Sequence, residues 1–266
     1  VLNLLRRLTA RHALFLAVSI ILLGGFEYLI CALVSTVDIS GAAGQIIKSL
    51  PPSLRSMLGE EFLGGLTTRG ILAFGWNHPI ALALGAAIAI VLATRGIAGE
   101  IENGAMELML SQPLSRMNYF AAHVGFALLA LATLSLSGWL GTAIGQHVFD
   151  LNAFAPGNLF RLVVNFFLLQ SAWLGITLLL SVFGRERGRV AGAAFFLALI
   201  SYLVQVIGRL WPAAAFLLPF SLYTYYSPPA LLVESRPVGK SLVILFSAIA
   251  VSLGSAAWRF QRRDIP

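Results

Sequence analysis

Residues 13–35, ALFLAVSIILLGGFEYLICALVS, decide the solvent in which this chain folds. The run is apolar throughout except for one carboxylate, Glu27. An α-helix rises about 1.5 Å per residue, so about 20 apolar residues cross the roughly 30 Å hydrocarbon core of a bilayer. This run is long enough to do so. It is too long for the apolar core of a cleavable signal and lacks a clear small-residue cleavage site, so it is expected to stay as an anchor.

The rest of the 266 residues agree. Hydrophobic residues make up 58% and charged residues 11%, with a mean hydropathy of +0.86. A soluble domain carries about 25% charged residues, and this chain has too few to cover a surface in water. Further spans are expected at about 79–94, 119–146, 159–183, 190–208 and 241–258. The third is long for a bilayer, so it tilts or projects. The fold class is therefore an all-α integral membrane protein with six transmembrane helices. Trp76 is placed as an interfacial anchor, and Asn77 as the cap of a second span that opens on Pro79.

Between the spans lie four other segments. Residues 1–12 (VLNLLRRLTARH) alternate leucines with Arg6, Arg7 and Arg11, which suggests a short amphipathic helix in the headgroup plane. An outer loop covers 36–78, broken at Pro51-Pro52. A polar connector covers 95–117. Residues 209–239 are apolar but interrupted by Pro212, Pro219, Pro228 and Pro229, which predicts short re-entrant or interfacial helices.

The net charge of +7 is dispersed at the ends of apolar runs, a pattern for orientation and anionic headgroups and not for nucleic acid. With the N-terminus inside, eleven basic residues are cytoplasmic: Arg6, Arg7, Arg11, Arg95, Arg116, Arg185, Arg187, Arg189, Arg259, Arg262 and Arg263. Seven are outside: Lys48, Arg55, Arg69, Arg161, Arg209, Arg236 and Lys240. Both termini and residues 95–117 are therefore expected in the cytoplasm.

Catalytic and metal motifs are missing. The four histidines are scattered, and the lone Cys31 supports neither a disulfide framework nor a metal site. ESRPVGKS (234–241) ends like a phosphate loop, but Glu234 replaces its first glycine and Pro237 removes a backbone donor. If ATP drives this protein, another chain hydrolyses it.

The connector GIAGEIENGAMELMLSQPLSR (96–116) is the sharpest signal. Glu100 and Glu102 precede a stretch, Asn103–Ser111, that can form two to three helical turns. Ala105, Leu108 and Met109 share a face at helical spacing, Gly104 permits close approach, and Pro113 stops the helix. Two readings stand at this point: a solvated loop, or an amphipathic helix that docks a partner.

G-E-I-E-N-G-A-M-E-L-M-L-S-Q-P-L-S-R resembles the cytoplasmic motif of type-2 ABC exporter permeases, G-E-x-E-x-G-T-x-E-x-L-L-x-x-P-x-S-R. Ala105 stands in place of the usual Thr and Met109 in place of a usual Leu. LLPFSLYTYYSPP resembles the family's stretch before the last span, and RFQRRDIP its closing segment. The resemblance implies one transmembrane permease domain over 1–266, working as a homodimer in the bacterial inner membrane. It implies two copies of an ATP-binding cassette ATPase subunit, which bind the ATP and Mg. This chain needs no cofactor of its own, and the pattern leaves room for an accessory periplasmic or membrane subunit. Gly99, Glu100, Glu102, Gly104, Glu107, Leu108, Pro113 and Arg116 become the ATPase contact, on a coupling helix at about 100–112. GRERGR (184–189) makes a lesser contact or serves only orientation.

A charge such as Glu27 inside a span costs a few kcal/mol. The carboxylate is read as facing the dimer cavity with a pathway or gating role, as paired with a polar group, as protonated, or as close enough to the outer interface for water. Glycine pairs Gly141/Gly145 and Gly188/Gly192 permit close helix approach. Apolar cavity walls would suit a lipid, a drug or a hydrophobic peptide. The alternative is a membrane anchor or sensor that recruits a cytoplasmic protein. A passive channel is disfavoured by the near absence of intramembrane charge.

Overall fold

The computed structural model describes residues 2–36, 67–106, 115–232 and 238–263. Among these, six helical segments are long and apolar enough to cross a membrane. We number the helices α1 (Leu2–Thr36), α2 (Thr68–Asn77), α3 (Pro79–Gly96), α4 (Ala98–Glu102), α5 (Arg116–Val148), α6 (Pro156–Phe183), α7 (Arg187–Leu210), α8 (Pro228–Leu232) and α9 (Gly239–Arg262). The second span is α2 with α3. Two 3-10 helices, Pro212–Phe220 and Leu222–Tyr225, connect α7 to α8.

The core lies where α3, α5 and α6 meet. Leu92, Ile88, Leu131, Leu134, Phe166 and Leu174 are essentially inaccessible there. Helices α1, α7 and α9 instead expose large apolar side chains, such as Leu14, Ile21, Phe195, Phe196, Val243 and Phe246. With lipid as solvent such faces cost nothing, so the peripheral helices need only a narrow inward stripe.

Helices α1 and α5 approach each other closely, and glycines make it so. A Cβ on Gly141 would fall 2.0 Å from the carbonyl oxygen of Gly24, and one on Gly145 would fall 2.6 Å from Cys31 Cβ. The Gly141/Gly145 spacing therefore serves packing inside the chain. Gly188 and Gly192 have nothing within 4 Å, so that pair packs on no other part of the described chain.

Four expectations need correcting. The amphipathic segment 1–12 is not a separate helix, because α1 runs unbroken from Leu2 to Thr36. No Gly or Pro interrupts residues 2–23, and Leu8 is buried in the main core. The outer segment 36–78 contains the helix α2, and the cap of α3 is His78, not Asn77. Its Nδ1 accepts the Ile80 N–H at 3.2 Å. Trp76 is not an interfacial anchor but is wholly buried, its indole N–H donating to Thr142 Oγ1 at 3.0 Å. The expected boundaries of the other spans fall inside the observed helices, which continue further at one or both ends.

The proline-rich stretch forms short elements, as its composition predicts, and side chains from neighbouring helices satisfy its backbone. Gln205 Nε2 donates to Tyr223 O at 3.2 Å and Asn165 Nδ2 to Tyr225 O at 3.3 Å. Ser201 Oγ accepts the Leu222 N–H at 3.1 Å. A polar backbone group without such a partner would cost several kcal/mol in hydrocarbon.

Candidate functional site

One end of the bundle gathers the start of α1, the end of α3, α4, the starts of α5 and α7, and the end of α9. It is rich in arginine, and its parts are bonded to one another. Tyr119 OH on α5 donates to Gly96 O at 2.6 Å, and His123 Nε2 donates to Leu92 O at 2.8 Å. Gly96 is required by that contact, since a Cβ there would fall 1.8 Å from His123 Nε2. The chain then turns at Ile97 and forms α4, a helix of five residues.

The two carboxylates of α4 point to different helices. Glu100 is buried and forms an ion pair and hydrogen bond with Arg11 of α1. Glu102 is exposed, and its Oε2 accepts the Arg187 N–H at the start of α7, at 2.7 Å. An acidic oxygen on the first N–H of a helix satisfies a donor with no partner in the helix and complements the dipole. Gly99 is buried against this corner, where a Cβ would meet Arg187 Cδ and Thr94 O, both at 3.3 Å. The GRERGR turn, which sequence reading left between a weak contact and orientation charges, is thus bonded to the acidic connector.

The helix expected over 103–111 does not run through Gly104. Asn103 and Gly104 close a turn, Gly104 N–H donating to Ile101 O at 3.1 Å, and Gly104 has φ +67. That left-handed conformation favours glycine, so its role is to reverse the chain. Met106 beyond it is fully buried. Glu107, Leu108 and Pro113 lie outside the described residues. Further on, the Ser115 hydroxyl caps α5 by accepting the Asn118 N–H at 3.1 Å.

Arg116 ties this corner to the end of the last span. Its Nη1 donates to Arg263 O at 2.6 Å. Arg263 in turn donates to Val182 O and, at 3.4 Å, to Ser181 O at the end of α6. Phe260 is buried against Tyr119 and Phe120, with ring centroids 6.3 and 5.7 Å away. The closing segment RFQRR is therefore a brace on the connector. Arg263 finds backbone carbonyls, which leave no trace in side-chain pattern, whereas Arg259 and Arg262 lie over the rings of Phe183 and Trp258.

Arg11→Ala should destabilise the chain more than Arg11→Ala with Glu100→Gln. The single change leaves a buried carboxylate without its cation, at a cost of about 1–3 kcal/mol. The second change removes the charge. Thermal unfolding in detergent reads this directly; a double variant no more stable than Arg11→Ala would refute it.

Glu27 lies far from this end, buried between α1 and α2 at 1% exposure. A Cβ on Gly75 would come 3.1 Å from its Oε2. Among the described residues no group of three His, Cys, Asp or Glu is placed to hold a metal.

On α3, Ile80, Ala83 and Ala87 form the exposed stripe of an otherwise buried helix. They lie in a trough between α1 and α7. On the α1 side a cavity of about 610 Å3 is lined by Leu22, Gly25, Leu29 and these residues. On the α7 side one of about 350 Å3 is lined by Ala83, Ala87, Phe195, Leu199 and Tyr202.

Comparison with curated proteins returned no match. Residues 7–265, nearly the whole chain, match the ABC-2 family transporter proteins, so the chain belongs to that family and is the membrane permease subunit of an ABC transporter that works with an ABC ATPase subunit.

Proposed function

We propose that this permease is an exporter subunit that pairs with a second copy of itself, docks one ATPase per copy on residues 98–116, and carries cargo along the α3 trough. The observation that supports it best is the bonding of α4. A short helix that protrudes from the second span and holds α1 through Glu100 and α7 through Glu102 is placed to pass a push to both walls of that trough.

The family's contact residues then divide by role. Gly99, Glu100 and Arg116 are the frame, since they are buried or bonded within the chain. Glu102 and Gly104 are exposed and are assigned to the ATPase contact, as are Glu107, Leu108 and Pro113. Glu102 Oε2 already accepts one hydrogen bond, and its carboxylate has further lone pairs for a basic group.

The positive-inside rule supports a cytoplasmic position for this arginine-rich end, in a bacterial inner membrane. A membrane-impermeant maleimide checks it on intact cells. Cysteine placed at Asp150, an exposed position between α5 and α6, should label at once. Cysteine at Arg189, whose side chain is 82% exposed, should label only after permeabilisation. The reverse pattern would invert the topology.

The decisive experiment is purification of the complex in lipid nanodiscs. ATPase that co-purifies and hydrolyses ATP faster when bound supports the transporter. ATPase that binds without change in turnover supports a membrane anchor instead.

A further inference from the structure

We propose that the second span is jointed at His78–Pro79, and that Tyr226 holds its outer piece, α2, still while α3 pivots. This rests on the reading that the ATPase pushes at α4, which continues from the far end of α3.

The joint follows from local chemistry. Proline has no N–H, and it disfavours helical backbone in the residue before it. His78 accordingly has φ −66 and ψ 139, an extended conformation between two helices. In an unbroken helix the Ile80 N–H would donate to Trp76 O. Here it donates to His78 Nδ1, and Trp76 O loses its helical partner.

Tyr226 supplies the replacement. Its hydroxyl donates to Trp76 O at 3.0 Å, and both residues are fully buried. Trp76 is fixed a second time by its indole N–H on Thr142 of α5. Phe166 of α6 stands edge-on to both rings, with centroids 5.5 Å from Trp76 and 5.8 Å from Tyr226. Glu27 of α1 closes the remaining side, against Gly75. The last turn of α2 is thus held by α1, α5, α6 and the segment before α8. Beyond the joint, α3 presents Ile80, Ala83 and Ala87 to the open trough, so among the described residues no packed helix lies on that side to obstruct a swing. Bonds at the joint and freedom on one side of the helix make α2 the fixed piece and α3 the moving one. This assigns a task to Tyr226 in the aromatic motif and to Glu27 in the packing of the joint.

The test uses the full chain with its ATPase in nanodiscs and needs no cargo. Spin labels go on cysteines at exposed positions, Phe74 on α2 or Ala87 on α3, each paired with Ile144 on α5. Cys31 is buried. Labelled chains are diluted with unlabelled ones, so that only distances within one chain are read. Trapping with ATP and vanadate should change the 87–144 distance and leave 74–144 unchanged. In Tyr226→Phe, and in Thr142→Val, both distances should change together. Tyr225→Phe, whose hydroxyl bonds only Pro219 O within its own segment, should behave like wild type. Two distances that move together in the wild type, a static 87–144 distance with ATPase bound, or an unmoved α2 in Tyr226→Phe would each overturn the joint. Failure of the wild-type chain to retain ATPase is a different result, and it overturns the docking reading together with the push that the joint needs.

Discussion

Leu108→Asp is expected to leave the chain folded and inserted but to strip it of its ATPase, with a fall in affinity of about 100-fold. An apolar anchor at the centre of an interface is worth about 2–4 kcal/mol, and a carboxylate in its place must be desolvated as well. An unchanged melting temperature in detergent checks that the chain's own fold is intact. Glu102 needs a subtler change. Glu102→Lys removes the acceptor from the Arg187 N–H as well as the negative charge, so it loosens the start of α7 while it repels a basic partner. Glu102→Gln keeps an acceptor oxygen and loses only the charge. Weaker ATPase binding in Glu102→Gln, at unchanged melting temperature, would assign the carboxylate to the partner. Co-purification at several salt concentrations provides the measurement. Leu108→Asp with wild-type ATPase retention would eliminate 107–113 as the docking face.

Gly141→Val is expected to cause a large loss of stability. Its Cβ would sit 2.0 Å from Gly24 O, a backbone atom that cannot rotate away. The two helices must separate, and overpacking of this kind costs about 1–3 kcal/mol or more. Gly125 on the same helix has nothing within 4 Å, so Gly125→Val is the matched control and should melt near wild type. Equal melting temperatures for the two variants would mean that α1 does not approach α5 at Gly141.

Hydropathy made the six spans legible, because in a bilayer a long apolar run has few alternatives to a helix. The same pattern misjudged α2. Residues 68–77 read as part of a polar outer loop, and they fold because Leu72, Ala73 and Trp76 are buried by neighbours that are remote in sequence. Trp76 was assigned to the interface by residue type, yet its indole N–H finds Thr142, which is 66 residues away. The connector was legible as a site through its residue types, but its internal division was not. Glu100 and Glu102 look alike in sequence. One is buried on Arg11 and the other is exposed on the start of α7, because positions two apart on a helix point in different directions. Gly104 could be expected to allow close approach, whereas its φ of +67 shows that it reverses the chain.

The unbroken length of α1 has a mechanical consequence. The helix is unbroken from Leu2 to Thr36, and Gly24 O lies against Gly141 of α5. From Gly24 to Arg11 is about 20 Å along the axis, and from Gly24 to Thr36 about 18 Å. A helix that pivots at Gly24 is a see-saw between Arg11 and Thr36. Whatever draws Arg11 sideways at one membrane face returns a displacement of nearly equal size and opposite sense at the other, with no bending of the helix. The first span would then signal across the bilayer by tilt alone.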